Sequence, residues 1–466
     1  MNTGPTHGAS ASGKNSSSPL NPASDLAVII LAAGHGTRMK SALPKVLHPV
    51  AGLPMLGHVL GLATSLSPAR LGVVIGDHAP QVGEAATSYV ADAKVFVQAP
   101  PKGTGDAVTQ AMSILDGFQG TVLVLYADTP LLHADTVRQL ILKSNEGFAI
   151  SVLGFHPENT DHAYGRLILD QDSNLNRIVE HRDATTEERN VNFCNSGVMA
   201  INSEFLKTAL PQITNDNAKG EYYLTDLVEL AIKAGQKCSA VAADEDQVMG
   251  VDSRRGLAIA EAIWQTRRRG LAMDEGATLL DPSTVYFSHD TQIGKDVTIG
   301  QHVVFSPGVR VADNVEVKAH SHLEGANLAA GASVGPYARL RPGATIGAGA
   351  KVGNFVEIKN AVLSRGAKVS HLTYIGDADL GEEVNIGAGT ITCNYDGFKK
   401  HRTTIKNGAF IGSNSSLVAP VTIGEGAYVG SGSVITKDVA PDALSVARGR
   451  QVAIRDWAKK FRDKQK

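Results

Sequence analysis

The chain has 466 residues, 43% of them hydrophobic, with 44 Lys and Arg against 46 Asp and Glu for a formal net charge of −2. That length calls for two or three domains, and the charge balance excludes a surface built to track a nucleic-acid backbone or an anionic membrane. Three distant cysteines (Cys194, Cys238, Cys393) form no CxxC pair and no plausible disulfide framework, which fits a reducing compartment, and no run approaches the ~18–20 apolar residues of a membrane span.

Residues 1–24 are rich in Ser, Gly, Pro and Asn and lack the basic and apolar regions of a signal peptide. They read as a disordered tail on a cytoplasmic protein. From 26 to about 250, apolar runs alternate with helical patterns. LAVIIL (26–31), RLGVVIG (70–76), TVLVLY (121–126), FAISVLGF (148–155) and CNSGVMAI (194–201) read as strands, with helix-like spacing over 52–66 and 104–115. Such alternation predicts a mostly parallel sheet covered on both faces. Ligands of such sheets sit at the carboxyl ends of the strands, where Gly34 and Asp128 fall. The first run leads into LAAGHGTRMKSALPKVLH (31–48), which looks like a phosphate cradle. It is neither G-x-G-x-x-G nor G-x-x-x-x-G-K-[ST], and a glycine-rich loop alone is equally readily an ordinary turn.

SRRGLAIAEAIWQTRRRG (253–270) reads as one linking helix with Leu257, Ala260, Ile263 and Trp264 on one face. Arg267, Arg268 and Arg269 then form a solvated carboxyl end, and Gly270 is the expected cap. After about 275 the aliphatic period becomes six: Ile293, Ile299, Phe305, Val311, Val317, Leu323, and onward to Val429 and Ile435, often followed directly by Gly. A parallel β-helix gives that period, each short strand placing one aliphatic inward before a tight turn. The polar stretch NYDGFKKHR (394–402) interrupts it and reads as a loop on one face.

LAAGHGTRM, LPKVLH, the GTG at 103–105 and YAD at 126–128 together resemble the sugar-nucleotide pyrophosphorylase family. The second half is similar to the left-handed β-helix acyltransferases. With RLRPGA (339–344), VGNFVEIKNA (352–361), HLTYIGDA (371–378), NIGAGTITCNYDG (385–397) and VAPVTIG (418–424), the tandem resembles the bacterial bifunctional N-acetylglucosamine-1-phosphate uridylyltransferase / glucosamine-1-phosphate N-acetyltransferase family over about 26 to 460. The resemblance implies a Rossmann-like α/β nucleotidyltransferase domain over 25–252, a linker helix over 253–275, and an all-β left-handed parallel β-helix of hexapeptide repeats over 276–466. It implies a cytoplasmic homotrimer that acetylates glucosamine 1-phosphate with acetyl-CoA. The same chain then transfers UMP from UTP to N-acetylglucosamine 1-phosphate with Mg²⁺, making a precursor of peptidoglycan and lipopolysaccharide.

For uridylyl transfer the resemblance implies that Leu31, Ala32, Ala33 and Gly34 contact the nucleoside. Arg38 and Lys45 hold phosphoryl oxygens, a task suited to fixed positive charge beside backbone N–H groups at a helix start. Gln98, Gly103 and Thr104 select the base, and Tyr126, Ala127, Gly165, Glu180 and Asn195 surround nucleotide and sugar. Asp128 and Asp252 hold the metal, hard oxygen donors for a cation that takes its other ligands from phosphate and water. Two residues depart from the family pattern: Ala127 stands for Gly, and Asp252 for Asn. For acetyl transfer it implies His371 as the general base that deprotonates the amine, a role suited to an imidazole. Arg341, Lys359, Tyr374 and Asn385 bind the sugar phosphate, and Asn394 lies by the sugar and amine toward the cofactor. Ala388, Tyr395, Ser413, Ser431 and Arg448 face acetyl-CoA, Ser431 standing where Ala is more usual. Two other readings are weighed against this one. A single-function nucleotidyltransferase would use its β-helix only for oligomerisation or regulation, but would not need His371, Lys359, Arg341 and Asn394 together. A non-enzymatic scaffold would not need Arg38, Lys45 and Asp128.

Overall fold

The computed structural model describes residues 25–159, 162–217 and 219–465. The tail expected over 1–24 lies outside them. The chain divides into two compact units, one of residues 25–48 and 54–260, the other of residues 49–53 and 261 onward.

Nine strands form the sheet of the first unit: β1 (Leu26–Ala32), β2 (Arg70–Gly76), β3 (Lys94–Gln98), β4 (Thr121–Tyr126), β5 (Ile150–Phe155), β6 (Arg166–Leu169), β7 (Leu175–Val179), β8 (Cys194–Asn202) and β9 (Cys238–Ala243). Their order is β3-β2-β1-β4-β8-β5-β9-β7-β6. The strands β3, β2, β1 and β4 are parallel. Strand β8 was expected among parallel neighbours and runs antiparallel to both β4 and β5. The hairpin of β6 and β7 precedes it and reverses the chain. Alternate residues of β1 enter different cores: Ala27, Ile29 and Leu31 pack on one face, Leu26, Val28, Ile30 and Ala32 on the other. That two-sided burial is why the run is apolar throughout rather than alternating. It also aims the loops after β1 and β4 at one edge of the sheet.

The expected helix over 52–66 occupies Met55–Ser65, and that over 104–115 is an α-helix at Thr104–Gln110 followed by a 3₁₀ turn at Met112–Leu115. The linking helix runs over Arg254–Asp274, past the 253–270 of the residue pattern and within the 253–275 expected for the linker. Gly270 lies inside it. The chain turns instead at Gly276, whose φ is +103° and whose N–H donates to Met273 O. The arginine run is not simply a solvated end. Arg268 donates to Thr291 O and sits 5.2 Å from the centre of the Phe287 ring, and Arg269 donates to Pro282 O and Ser283 O. Guanidinium groups here tie the helix to its own unit.

The second unit is a parallel β-helix. Short strands pair with strands 17 or 18 residues later, as Thr298–Ile299 does with Glu316–Val317 and Arg310–Val311 with Asn327–Leu328. Three six-residue faces therefore complete one coil. The predicted aliphatics from Ile299 to Ile435 are buried in one continuous core, with Ile293 partly buried at its end. A second inward position two residues earlier is smaller: Ala326, Ala332, Ala338, Ala344 and Ala350 precede Leu328, Val334, Leu340, Ile346 and Val352.

Left-handed backbone recurs three residues before the aliphatic, at Asp296, His302, Gly308, Asn314 and His320. The glycines that follow the aliphatics have another cause. Built onto Gly300, Gly353, Gly387 and Gly412, a Cβ would stand 2.6, 1.9, 2.5 and 2.4 Å from the nearest atom, in each case backbone of the next coil. Close coil-to-coil approach, rather than positive φ, excludes a side chain there. Gly353→Ala is therefore expected to cost about 2–3 kcal/mol. Gly61→Ala, in open space inside the helix Met55–Ser65, should gain about 0.5–1 kcal/mol. Thermal unfolding of the two variants checks the pair. A melting temperature for Gly353→Ala at or above wild type would remove the crowding argument.

Candidate active sites

In the first unit a cavity of about 560 Å³ opens at the carboxyl ends of β1 and β4. Leu31, Ala32, Ala33, Gly34, Lys45, Gln98, Gly103, Thr104, Tyr126, Asp128, Glu180 and Asn195, all singled out from the sequence, line it together. Gly165 stands just behind: its O accepts from Asn195 N at 2.9 Å, and a Cβ there would lie 3.5 Å from Glu180 Oε1.

The loop after β1 does not start an α-helix, as the phosphate-cradle reading had expected. It enters a three-residue 3₁₀ turn, Thr37–Met39, and a second at Lys45–Leu47. Gly36 has φ +60°, and a Cβ on it would stand 2.5 Å from Lys45 Cβ. Only glycine lets the Lys45 side chain pass into the cavity there. Lys45 then pairs with Asp128, both mostly shielded from solvent. Ala127 turns its methyl into the core, fully buried, so that methyl does not stand in the cavity. Its N–H donates to Leu31 O at 3.0 Å, tying the two strand ends together.

Val251 N donates to Asp128 O at 2.8 Å, which brings Asp252 beside Asp128. Asp252 pairs with Arg38 at 2.6 Å. Among the described residues no group of three or more His, Cys, Asp or Glu could hold a metal. Two adjacent carboxylates nevertheless suit Mg²⁺, which keeps several waters and takes phosphate oxygens. Each carboxylate already carries a cation as counter-charge.

Sequence reasoning missed the far wall, formed by Lys219, Glu221, Tyr223 and Thr225. Glu180 lies at its edge, and burial pushes its carboxyl up. Tyr126 is also pushed up, first by burial and then by Asp128. Gly197, at φ +90°, leaves room for the Tyr126 ring.

The second cluster lies in the β-helix, on two long coils, Lys351–Leu363 and Lys368–Leu380, whose ladder sets Asn354 opposite His371 and Glu357 opposite Tyr374. Arg341 donates to Glu357 Oε1 at 2.9 Å, and that bond raises its guanidinium further. Asn394, buried, donates to Asp377 Oδ2 at 2.5 Å and lies 3.5 Å from the Tyr374 hydroxyl. The insertion 394–402 is an ordered loop. Asp396 accepts from Phe398 N and Lys399 N and pairs with His401 at 2.7 Å, while His401 N donates to Asn394 O.

The loop delivers Lys400, which sequence reasoning missed, onto Lys359. Contact with Lys400 holds the Lys359 ammonium below the usual range. Burial pushes Asp377 up, yet the Asn360 and Asn394 amides and then Lys400 and Lys359 outweigh it and keep the carboxyl low. Arg341, Lys359 and Lys400 thus gather in one place, with Glu357, Glu324 and Asp377 around them, and three cations so close are suited to an anion.

One edge of the coil stack carries the remaining predicted residues. His371 Nδ1 lies 2.7 Å from Asn354 Oδ1, one coil before. Gly389 N donates to His371 O, Asn414 N to Ala388 O, Gly432 N to Ser413 O, and the Arg448 guanidinium to Ser431 O. Asn354, His371, Ala388, Ser413, Ser431 and Arg448 therefore form a column, one per coil. Beside it runs a corner of left-handed residues. His302, His320, Tyr337 and Phe355 stack there at 4.8, 4.8 and 5.3 Å, and Leu372 follows. The next positions are Gly389, Asn414 and Gly432. The bulky ridge ends at His371. Beyond it the corner carries these smaller residues for three coils, about 14 Å at the usual ~4.8 Å spacing. Asn385 lies partly buried on the coil after His371, and Tyr395 is 63% exposed on the insertion.

A profile of the MobA-like NTP transferase domain matches residues 28–178, and one of the bacterial transferase hexapeptide (six repeats) matches 402–437. The chain is 54% identical over 444 residues to the bifunctional protein GlmU of Paramagnetospirillum magneticum, covering 95% of this chain and 98% of that one. It is 57% identical to the GlmU of Rhizorhabdus wittichii, covering 94% and 97%, and 57% identical to that of Maricaulis maris, covering 93% and 95%.

A carboxyl behind the first cavity gives a test of its electrostatics. Asp226 is pushed up to about 6, mainly by burial and then by Glu229, Glu180 and Asp183. The folded chain holds this proton more tightly than the unfolded chain, where an Asp titrates near ~3.9. The cost of the charge is absent below about pH 4, grows as pH rises, and is complete above about pH 6. Asp226→Asn should therefore stabilise the chain at pH 7.5 by about 1–2 kcal/mol, allowing for screening of a half-exposed group. It should give no gain at pH 4. Melting curves at the two pH values check this, and an equal gain at both would assign the effect to something other than charge.

Proposed function

The chain belongs to the family of the bifunctional protein GlmU, and from that premise we propose how its two clusters divide the work. It is both a nucleotidyltransferase and an acetyltransferase. Its co-substrates are UTP and acetyl-CoA and its metal is Mg²⁺. The cavity at the ends of β1 and β4 is the uridylyltransferase site, and the edge column at His371 is the acetyltransferase site. The single observation that carries the division is that column: a base candidate, held by an amide, stands where a bulky ridge gives way to an open edge. An oligomerising tail has no use for this arrangement.

In the first site Leu31 to Gly34 and Gln98 to Thr104 hold the nucleoside. Lys45 and Arg38 neutralise the phosphates and the charge that develops as the oxygen of N-acetylglucosamine 1-phosphate attacks the α-phosphorus and pyrophosphate leaves. Glu180, Asn195 and Gly165 position the sugar. Asp128 and Asp252 would hold Mg²⁺, whose charge would add to that of Lys45 and Arg38 in neutralising the phosphates. In the second site Arg341, Lys359, Tyr374 and Lys400 grip the phosphate of glucosamine 1-phosphate, and Asn385 and Asn394 set the sugar. His371 takes a proton from the ammonium. The freed nitrogen lone pair attacks the thioester carbonyl, the C–S bond breaks, and the departing thiolate takes up a proton. Acetyl-CoA lies along the open edge past Ala388, Ser413 and Ser431 toward Arg448, with Tyr395 beside it.

The chain works as a homotrimer in the cytoplasm. No helix of the described residues is long and apolar enough to cross a membrane. The carboxyl-terminal stretch carries Val446, Val452, Ile454, Trp457 and Phe461, each at least half exposed, a surface suited to a neighbouring copy. Closed cyclic symmetry is the usual outcome of such head-to-tail contacts. Light scattering of the full chain tests this. A monomer with full acetyltransferase activity would refute it.

Supplying glucosamine 1-phosphate, acetyl-CoA, UTP and Mg²⁺ together should yield UDP-N-acetylglucosamine, CoA and pyrophosphate. His371→Ala should lower acetyl transfer about 10²–10⁴-fold while uridylyl transfer from supplied N-acetylglucosamine 1-phosphate stays near wild type. Asp128→Ala should do the reverse. If His371→Ala also loses acetyl-CoA binding, its role is structural and the assignment of the base fails.

A further inference from the structure

We propose that Asp106 determines base specificity: it fixes the Gln98 amide so that only a carbonyl oxygen faces the cavity, which admits uracil and rejects cytosine. The proposal rests on the reading of Gln98 as the residue that meets the base. Gln98 is 3% exposed and lines the cavity, whereas Asp106 does not line it. The Gln98 Nε2 donates to Gly103 O at 3.0 Å and to Asp106 Oδ2 at 2.6 Å. Both partners are acceptors only, so the amide nitrogen must face them; a flipped amide would set oxygen against oxygen twice. Oε1 is thereby turned toward the ligand.

The two acceptors are themselves fixed. Tyr222 N donates to Lys102 O, and Gly105 N donates to Tyr222 O, both at 2.8 Å, which pins the loop carrying Gly103. A Cβ on Gly103 would stand 2.5 Å from Tyr222 O, so that loop cannot close as tightly with any other residue. Asp106 occupies the first turn of the helix Thr104–Gln110, where the helix dipole favours a carboxylate. Gln110 Nε2 donates to its other oxygen at 3.2 Å. A pyrimidine with a hydrogen on N3 gives that hydrogen to Oε1. Cytosine presents a lone pair at N3, and lone pair then faces lone pair. Sites built around one buried hydrogen bond reject ligands that cannot make it far more strongly than apolar pockets reject misfits.

The test compares kcat/KM for UTP and CTP in full-length chains. In Asp106→Asn the new amide can donate to a flipped Gln98, so that only Gly103 O still opposes the flip. The preference for UTP should fall about tenfold or more, consistent with the loss of a hydrogen bond to a charged group. The melting transition of each full-length variant serves as the folding control, since acetyl transfer belongs to the other unit. Gln98→Leu should collapse the preference as well. If Gln98→Leu collapses it and Asp106→Asn leaves it unchanged, Asp106 does not position the amide and the proposal is overturned. If Asp106→Asn lowers both rates equally, Asp106 is structural and the proposal is again overturned. An unchanged preference in Gln98→Leu would overturn the reading of Gln98 itself. Should Asp106→Asn fail to fold, Asp106→Ser, which keeps a small polar group in the first helical turn, is read by the same ratio.

Discussion

Backbone hydrogen bonds between residues 17 or 18 apart are the constraint on which the second unit depends. They stack Asn354 under His371 and Glu357 under Tyr374, and they recur from Gln292 to Ile435, the spacing widening to 25 where the insertion 394–402 intervenes. Side chains far apart in sequence become neighbours because each coil returns to the same edge. The aliphatic core follows from that register. So does the crowding that excludes Cβ atoms at Gly300, Gly353, Gly387 and Gly412. The proposed base His371, its amide partner Asn354 and the line of positions proposed to face the cofactor are placed by the same repeat, with no dedicated scaffold.

The two sites handle charge in opposite ways. In the first, both cations proposed to meet the phosphates have a carboxylate partner: Lys45 has Asp128 and Arg38 has Asp252. An arriving phosphate can take over the cation of each pair, and only at the shielded Lys45–Asp128 pair would the freed carboxylate then need a new partner. In the second, Lys359 and Lys400 are pressed together. Asp377 offsets part of that repulsion, and a bound anion would offset more. One site is neutral until it is rearranged; the other is strained toward its ligand.

Much of this was legible in the sequence. The strands of the first unit follow from apolar runs long enough to be buried on both faces, and the β-helix from a period that no helix or flat strand produces. The direction of β8 was not legible, because an apolar run reads the same in either direction and only the preceding hairpin settles it. The extra length of the linking helix was hidden by Gly270, which breaks a pattern without breaking a helix. Lys400 and Asn354 were missed for different reasons. Asn354 needed the one-coil offset from His371 to be counted, a signal present in the motif VGNFVEIKNA. Lys400 sits on an insertion whose loop geometry, set by Asp396 and His401, no periodicity describes. Asp106 was likewise a plain helix-start carboxylate until its distance to Gln98 was known.

The stacked register also governs how the second unit comes apart. Each coil touches only the coils before and after it, so resistance to opening is local and is passed along like the teeth of a zipper. The paired strands Lys351–Leu363 and Lys368–Leu380 share ten aligned residues, while the last short strand, Leu444–Ser445, leaves Leu444 71% exposed. Amide hydrogens should therefore exchange with solvent from the carboxyl-terminal end inward, and the coils bearing Asn354 and His371 should be among the last to open. The proposed acetyl-transfer residues sit at the most durable part of the array, and the edge proposed to face the cofactor crosses from there into the part that frays.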